Sequence, residues 1–348
     1  MPGYITVNQM VDLTNMTIED FGAGRFNQIW QTITRYEVLP RLLKKDKISF
    51  QGGDYVRRNL MHQHSDSARM VGLAETDKVN IPDLLTHMRI DWRFSTWNWA
   101  WERREALMQR GPHEIVNLIQ TRRLAGMAAL ADLMEAQVIA DPADPNNELD
   151  VLGVYYWFPK ATGLGGGHTG GLPLGGYTDV GGVDPSTHTG WKSYQAGYTN
   201  ISDDDLLEEA RKAALDINFE SPIDAPDYRR GRGQVFRNYV NRDTFLTLTA
   251  ISRKQNDNLG GELFSYNGGL TFNRSPIIRL PKLDSDTSDP WLMLNFDTLF
   301  IACLDGDYMT DSGAMKAPDQ HNVVVGHGDL TWALGCDDRR ANAVLNKL

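Results

Sequence analysis

From Pro112 to Ala140 the sequence PHEIVNLIQTRRLAGMAALADLMEAQVIA predicts a single uninterrupted helix, and a rod of that length limits what the rest of the chain can be. Pro112 suits a first helical position, where a missing N–H costs nothing, and Glu114 sits at the positive end of the helix dipole. Ile115, Leu118, Ile119, Arg122, Gly126, Leu130, Leu133, Met134 and Val138 trace a stripe at three-to-four spacing. Pro142 and Pro145 forbid continuation. At about 1.5 Å per residue such a helix is roughly 42 Å long, well beyond the ordinary globular helix. The remaining segments must cover a rod rather than fill a ball.

Ahead of the helix the period changes to two. Met88, Ile90, Trp92 and Phe94 alternate with Arg89, Asp91 and Arg93, as in a strand with one apolar face. Lys47-Ile48-Ser49-Phe50, continuing past Gly52-Gly53 to Tyr55-Val56, reads as its outgoing partner. The polar excursion HQHSDSARMVGLAETDKVN between them is too long for a tight turn, so residues 45–95 are expected to form an extended, projecting hairpin. Such a hairpin needs another surface to cover its apolar face. An earlier helix is expected from Ile18 to Leu39, capped by Thr17, with Phe26, Ile29, Trp30 and Ile33 on one side and Pro40 at its end.

Trp92, Trp97, Trp99 and Trp101 are four of the chain's nine tryptophans. That density fits buried packing or a subunit contact, and a platform for stacking bases or sugars is the sharper alternative. Val151–Phe158 is strand-like. Ser202 is placed to cap a helix with three aspartates in its first turn and Leu206, Ala210, Ala213 and Ile217 on its buried face. Strands are expected at Thr244–Ile251, Ile277–Leu280, Trp291–Leu304 and near Asn322–Val325. No repeat is visible.

Few residues carry chemistry. The segment 163–182 holds ten glycines in twenty positions, but no lysine follows and the next helix lies far downstream. It therefore lacks the parts of a phosphate loop and reads as a flexible connection or surface loop. His62 and His64 form an H-x-H pair with Asp66 close by, the only arrangement that points to a metal-dependent hydrolase, yet no further ligand motif accompanies them. Asp203, Asp204 and Asp205 are explained by the helix dipole. Arg229, Arg230 and Arg232 form the one short basic cluster, suited to phosphates or to a neighbour's carboxylates. No nucleophile elbow, cofactor loop or metal motif is predicted.

Composition excludes some classes. With 35 basic and 45 acidic residues the formal charge is −10, which argues against a protein whose main task is gripping nucleic-acid phosphates. Two cysteines outside any C-x-x-C pattern give neither a disulfide framework nor a thiolate cluster, and a reducing cytoplasm suits them. The first residues, MPGYITVNQMVDLTNMT, lack the features of a secretory signal, and no run reaches membrane-spanning length.

An amphipathic arm, a long hairpin, one very long helix, a mixed region and strands returning at the carboxyl end form an α+β order that resembles the Hong Kong 97-type fold of tailed-phage major capsid proteins. The tail adds to this: SPIIRLPKL and WLMLNFDTLFIACLDGDYM are similar to the strand crossing back from axial to peripheral domain. LTWALGCDDRRANAVLNKL resembles the closing strand, with Arg339 and Arg340 as its paired arginines. The resemblance implies an N-arm at 1–44, an E-loop at 45–95 and a peripheral domain at 96–200 with its spine helix at 112–140. An axial domain follows at 201–295, and peripheral return strands at 296–348. It implies a non-enzymatic coat protein without cofactors, synthesised in the host cytoplasm. Copies would assemble into hexamers and pentamers of an icosahedral shell around double-stranded DNA, with a portal and separate scaffolding or decoration proteins as partners. On this reading Phe26, Trp30, Trp92, Trp97, Trp99, Trp101, Arg229, Arg230 and Arg232 are candidates for subunit contacts. Lys78 lies where some family members form isopeptide crosslinks, but no acceptor asparagine or assisting glutamate matches, so that chemistry is not expected here. An encapsulin-type compartment, a metal-dependent hydrolase and a carbohydrate-binding module are the alternatives.

Overall fold

The structure, a computed structural model, describes residues 36–44, 48–63, 68, 70–73, 81, 83–108, 112–140, 144–219, 235–254, 263–266 and 269–348. Its elements run in the order α1 (Leu39–Leu42), β1 (Ile48–Gln51), β2 (Tyr55–Met61), β3 (Leu85–Asp91), β4 (Arg93–Glu102), α2 (Arg103–Met108) and α3 (Pro112–Ile139). Next come α4 (Val154–Trp157), β5 (Gly165–Gly170), β6 (Ser193–Tyr198), α5 (Glu208–Asp216), β7 (Phe236–Val240) and α6 (Arg242–Lys254). The chain closes with β8 (Leu263–Tyr266), β9 (Gly269–Phe272), β10 (Ser275–Arg279), β11 (Trp291–Asn295), β12 (Leu299–Leu304), β13 (Thr310–Asp311), β14 (Met315–Lys316), β15 (Val323–Cys336) and β16 (Ala343–Lys347). No described helix is long and apolar enough to cross a membrane.

The long helix forms where the sequence predicts it, from Pro112 to Ile139. Strand β15 organises the first sheet beside it. One edge of β15 pairs antiparallel with β4, from Val323↔Glu102 to Trp332↔Arg93. The other edge takes β14, β13 and then β12, with β1 added parallel to β12. The buried positions of β4 are Trp97, Trp99 and Trp101, and small residues opposite make room for them. A Cβ on Gly126 of α3 would fall 2.8 Å from the Trp97 ring, and one on Gly328 of β15 would fall 2.2 Å from it. The Trp97 indole is thus wedged between helix and sheet at two positions that admit only glycine. Burying one indole removes about 200 Å² from water and favours folding by about 5 kcal/mol before chain entropy is counted.

A second, eight-stranded sheet has the order β5-β6-β16-β11-β7-β10-β9-β8. With α5 and α6 it encloses a separate core that includes Tyr198, Leu206, Ala213, Leu248, Phe272, Trp291 and Leu345. The chain passes directly from one sheet to the other between β11 and β12 and between β15 and β16, and Asn342 ties these two crossings together. Its buried amide oxygen accepts from Asn295 N–H at 2.7 Å, and its nitrogen donates to Thr298 Oγ1 at 2.9 Å and to the Asp338 carbonyl at 3.0 Å.

Several sequence expectations are corrected. Most of the helix expected at Ile18–Leu39 lies outside the described residues; Tyr36–Val38 are not helical, and Pro40 stands in the first turn of α1 instead of ending a helix. Residues 48–51 are not the outgoing strand of the hairpin, because β1 joins the first sheet; only β2 and β3 pair, from Tyr55↔Asp91 to Met61↔Leu85. Val154–Trp157 is a helical turn rather than a strand. Thr244–Ile251 is helical because the Asn241 side chain accepts from Thr244 N–H at 2.9 Å at the helix start. Thr247 and Thr249 then bond back to the carbonyls of Asp243 and Phe245, which satisfies hydroxyls that would otherwise favour extended chain. Trp291–Leu304 is two strands in two sheets, and the strand expected near Asn322–Val325 runs on to Cys336. Ser202 occupies the cap position, but its side chain makes no cap bond; the Asp205 carboxylate accepts instead from the N–H groups of Thr199 and Asn200.

Both cysteines are free and buried, and burial pushes the Cys303 thiol up to about 12 and Cys336 well above its ordinary value. A thiol reagent at pH 8 is therefore expected to titrate neither in the native chain and both after denaturation. A reactive thiol in native protein would contradict the packing around β12 and β15.

Candidate assembly surface

Hairpin β2–β3 pairs with neither larger sheet, and its two faces differ. Val56, Met88 and Ile90 are buried on the inner face, against the first core and the loop at 180–183, where Arg89 N–H donates to the Gly181 carbonyl at 2.8 Å. The hairpin base is thus covered by its own chain, not left for a neighbour. The outer face is polar, with Arg57 opposite Arg89, Arg89 stacked on Tyr55, and Asn59 hydrogen-bonded to His87.

The unpaired apolar surface lies beyond the base. Met61, Leu85 and Val71 are exposed, and Met70 (98%), Leu73 and Ile81 (90%) stand almost wholly in solvent. Scattered exposed apolar residues are ordinary, but the run at 70–73 with Ile81 is the candidate contact surface among the described residues. Sequence reasoning took the segment as polar. The signal was present in the Met70-Val71-Gly72-Leu73 run, but polar neighbours on both sides masked it.

The tryptophans are not on this surface. Trp92 and Trp97 are 7% exposed, Trp99 3% and Trp101 2%, all within the first core. Trp97 packs between Gly126 of α3 and Gly328 of β15, and Trp99 lies against Gly326 of β15. Phe26, Trp30, Arg229, Arg230 and Arg232 lie outside the described residues, as do His64, Asp66 and Lys78. His62 is described and packs edge-to-face on His188. Among the described residues no group of three His, Cys, Asp or Glu is arranged to hold a metal ion.

Two buried ionisable groups tie the peripheral segments to the body, and neither was foreseen. The carboxylate of Glu135, on α3, accepts from the backbone N–H groups of Glu37, Val38 and Leu39 at 3.4, 3.3 and 2.9 Å. It thereby supplies the cap that α1 lacks, while Tyr36 donates to Asp132 one turn earlier. Replacing Glu135 with alanine would remove the carboxylate that three buried N–H groups share, and about 2–4 kcal/mol of stability is expected to go with it. Denaturant unfolding of the soluble chain measures the loss, and a cost below 1 kcal/mol would show that another group caps α1.

The second is Arg339, fully buried between β15 and β16. Its Nε donates to the Trp157 carbonyl at 2.7 Å, Nη1 to Trp191 at 2.7 Å, and Nη2 to Gly171 at 2.8 Å and Gly170 at 3.3 Å. Burial lowers its pKa to about 10, so it remains charged at neutral pH. This clasp corrects the reading of the glycine segment. Residues 165–170 form an edge strand on β6, and the end of that strand is held by the guanidinium rather than free to adapt.

No family model matches the chain, and no curated protein does. Solved structures do. A chain of the cyanophage A-1(L) capsid asymmetric unit superposes with a TM-score of 0.58 at 10% identity, over 95% of this chain and 98% of that one. The capsid of the Myoviridae phage XM1 matches over 100% of both chains with a TM-score of 0.53 at 12% identity. The capsid of cyanophage P-SCSP1u matches with a TM-score of 0.53 at 13% identity, over 95% of this chain and 94% of that one. With a mixed α+β architecture aligned from end to end at these identities, the chain has the fold of phage capsid subunits.

Proposed function

We propose that this chain is the major capsid protein of a tailed bacteriophage, a structural protein whose copies form the hexamers and pentamers of an icosahedral head around double-stranded DNA. The observation that carries the reading is the fold shared over the whole chain with capsid subunits. The exposed apolar end of the hairpin supports it, because such a surface is buried only by another copy or partner. In this reading residues 1–44 are the N-arm, rooted on Glu135, and 45–95 the E-loop, whose projecting part is β2–β3. Helix α3 is the spine of the peripheral domain, 96–200. The axial domain, 201–295, is drawn from the second core, to which β6 and β16 also contribute. Residues 296–348 return through the peripheral domain. The portal and any scaffolding or decoration proteins are partners that the assembled head would require.

The acidic balance suits a container wall, since a lining that gripped phosphates would hinder DNA entry and exit. Electron microscopy of the concentrated full chain tests the proposal. Five- or six-membered rings or closed shells are expected, and a stable solitary monomer across the concentration range would overturn it.

A further inference from the structure

We propose that in the free subunit residues 18–35 lie along the outer face of α3, where they cover Ala125, Ala129 and Leu133. From Leu124 to Ala131 the helix carries no charged or hydrogen-bonding side chain on any side. Leu130, Met134 and Val138 are buried in the first core. Ala125, Ala129 and Leu133, spaced by four along another face, are exposed, Leu133 by 43%. A helix that is apolar all round is ordinarily covered all round, so this face lacks its cover among the described residues.

Exposed alanines name no partner by themselves, but the path of the chain does. Tyr36, the first described residue, donates to Asp132, which shares this face two turns beyond Ala125. The next three N–H groups are held by Glu135. The segment that ends at residue 35 therefore begins against α3, with no linker between it and the uncovered face. It brings its own apolar stripe, Phe26, Ile29, Trp30 and Ile33, at three-to-four spacing. Wound as a helix, that stripe is about 10 Å long, and the face from Ala125 to Leu133 is about 12 Å long. Small side chains spaced by four leave a shallow groove into which larger ones pack. A second copy's arm could fill the same groove, but the subunit's own arm is tethered beside it at a far higher effective concentration. The contact is independent of whether copies assemble.

Hydrogen exchange of the full chain, read by mass spectrometry at a dilution where sedimentation shows only monomer, tests the contact. Amides between residues 20 and 33 are expected to exchange at least about tenfold more slowly in the wild-type chain than in Ala125→Asp or Ala129→Asp, each of which puts a charge on the exposed face. Leu246→Asp, a change at a 56% exposed leucine of α6, is expected to leave them unchanged. Exchange within α3 should stay slow in all three variants, which separates loss of the contact from loss of the fold. Fast exchange of the arm in the wild-type monomer would overturn the proposal, as would protection that survives both α3 variants. Protection that arises only as concentration brings copies together would overturn it too, and would assign the cover to a neighbour's arm. Because the measurement is made on monomer, a failure to assemble would count against the proposed function alone.

Discussion

Replacing Arg339 with methionine is expected to cost the subunit about 3–5 kcal/mol and to leave most of it insoluble. Methionine fills a similar volume but donates nothing, so the buried carbonyls of Trp157 and Trp191 and the half-buried one of Gly171 would lose the donor that now serves them, while Gly170 keeps Ser193 Oγ at 3.4 Å. An orphaned buried group costs about 1–3 kcal/mol, and a domain of ordinary stability holds only about 5–15 kcal/mol in total. Lysine is expected to recover little, because its donors radiate from one point while the carbonyls are spaced for a planar fork. Arg340 provides the internal comparison. It is partly exposed, stacked on Phe219 at 5.0 Å and paired with Asp338 at 3.7 Å, so Arg340→Ala should cost less than about 1 kcal/mol. Urea unfolding of soluble subunits measures all three variants. If Arg339→Met unfolds within 1 kcal/mol of wild type, the clasp does not hold the glycine strand.

Arg339 also shows what a sequence withholds. Its acceptors are main-chain carbonyls 148 to 182 positions away, and a carbonyl carries no residue identity to search for. The same holds for Glu135, which caps backbone N–H groups 96 to 98 positions earlier. Helix α3 was legible because its signal is local and long: a proline start, a stripe over many turns and a proline stop. The hairpin was half legible. Alternation at Met88, Ile90, Trp92 and Phe94 runs unbroken through the sequence, but the chain breaks at Trp92, whose indole donates to the Gly53 carbonyl at 2.8 Å. Beyond that break the buried parity switches to Trp97, Trp99 and Trp101, and Phe94 is left in solvent at 79% exposure. A one-residue slip of this kind inverts a strand's faces without changing its composition. The glycine segment was read as a flexible connection because four of the six residues of β5 are glycine, and a strand with so few side chains has no period. The tryptophan density did point to a packed centre, but whether that centre belonged to one chain or to two depended on Gly126 and Gly328. Those glycines lie far from the indole in sequence and matter only once helix and sheet meet.

Substituting serine together at Met70, Val71, Leu73 and Ile81 is expected to leave the subunit folded and to abolish its assembly. All four side chains are already solvent-exposed, so each change should alter stability by no more than about 0.5 kcal/mol, and circular dichroism and unfolding midpoints should match wild type. Assembly is another matter. Burying one such side chain against a neighbour is worth about 1.5–3 kcal/mol, so the four together contribute at least about 6 kcal/mol to each contact before ordering costs. A factor of ten in affinity corresponds to about 1.4 kcal/mol, which makes the loss roughly 20,000-fold per contact before those costs. A closed lattice multiplies that loss, because each copy must hold its neighbours at once and a weak contact is not rescued by strong ones elsewhere. Sedimentation velocity and electron microscopy should therefore find monomers where the wild-type chain forms rings or shells. The result distinguishes two sources of cohesion. If particles form normally from the serine variant, the lattice is held by other surfaces, and the exposed aliphatic side chains beyond the hairpin base are not what joins one copy to the next.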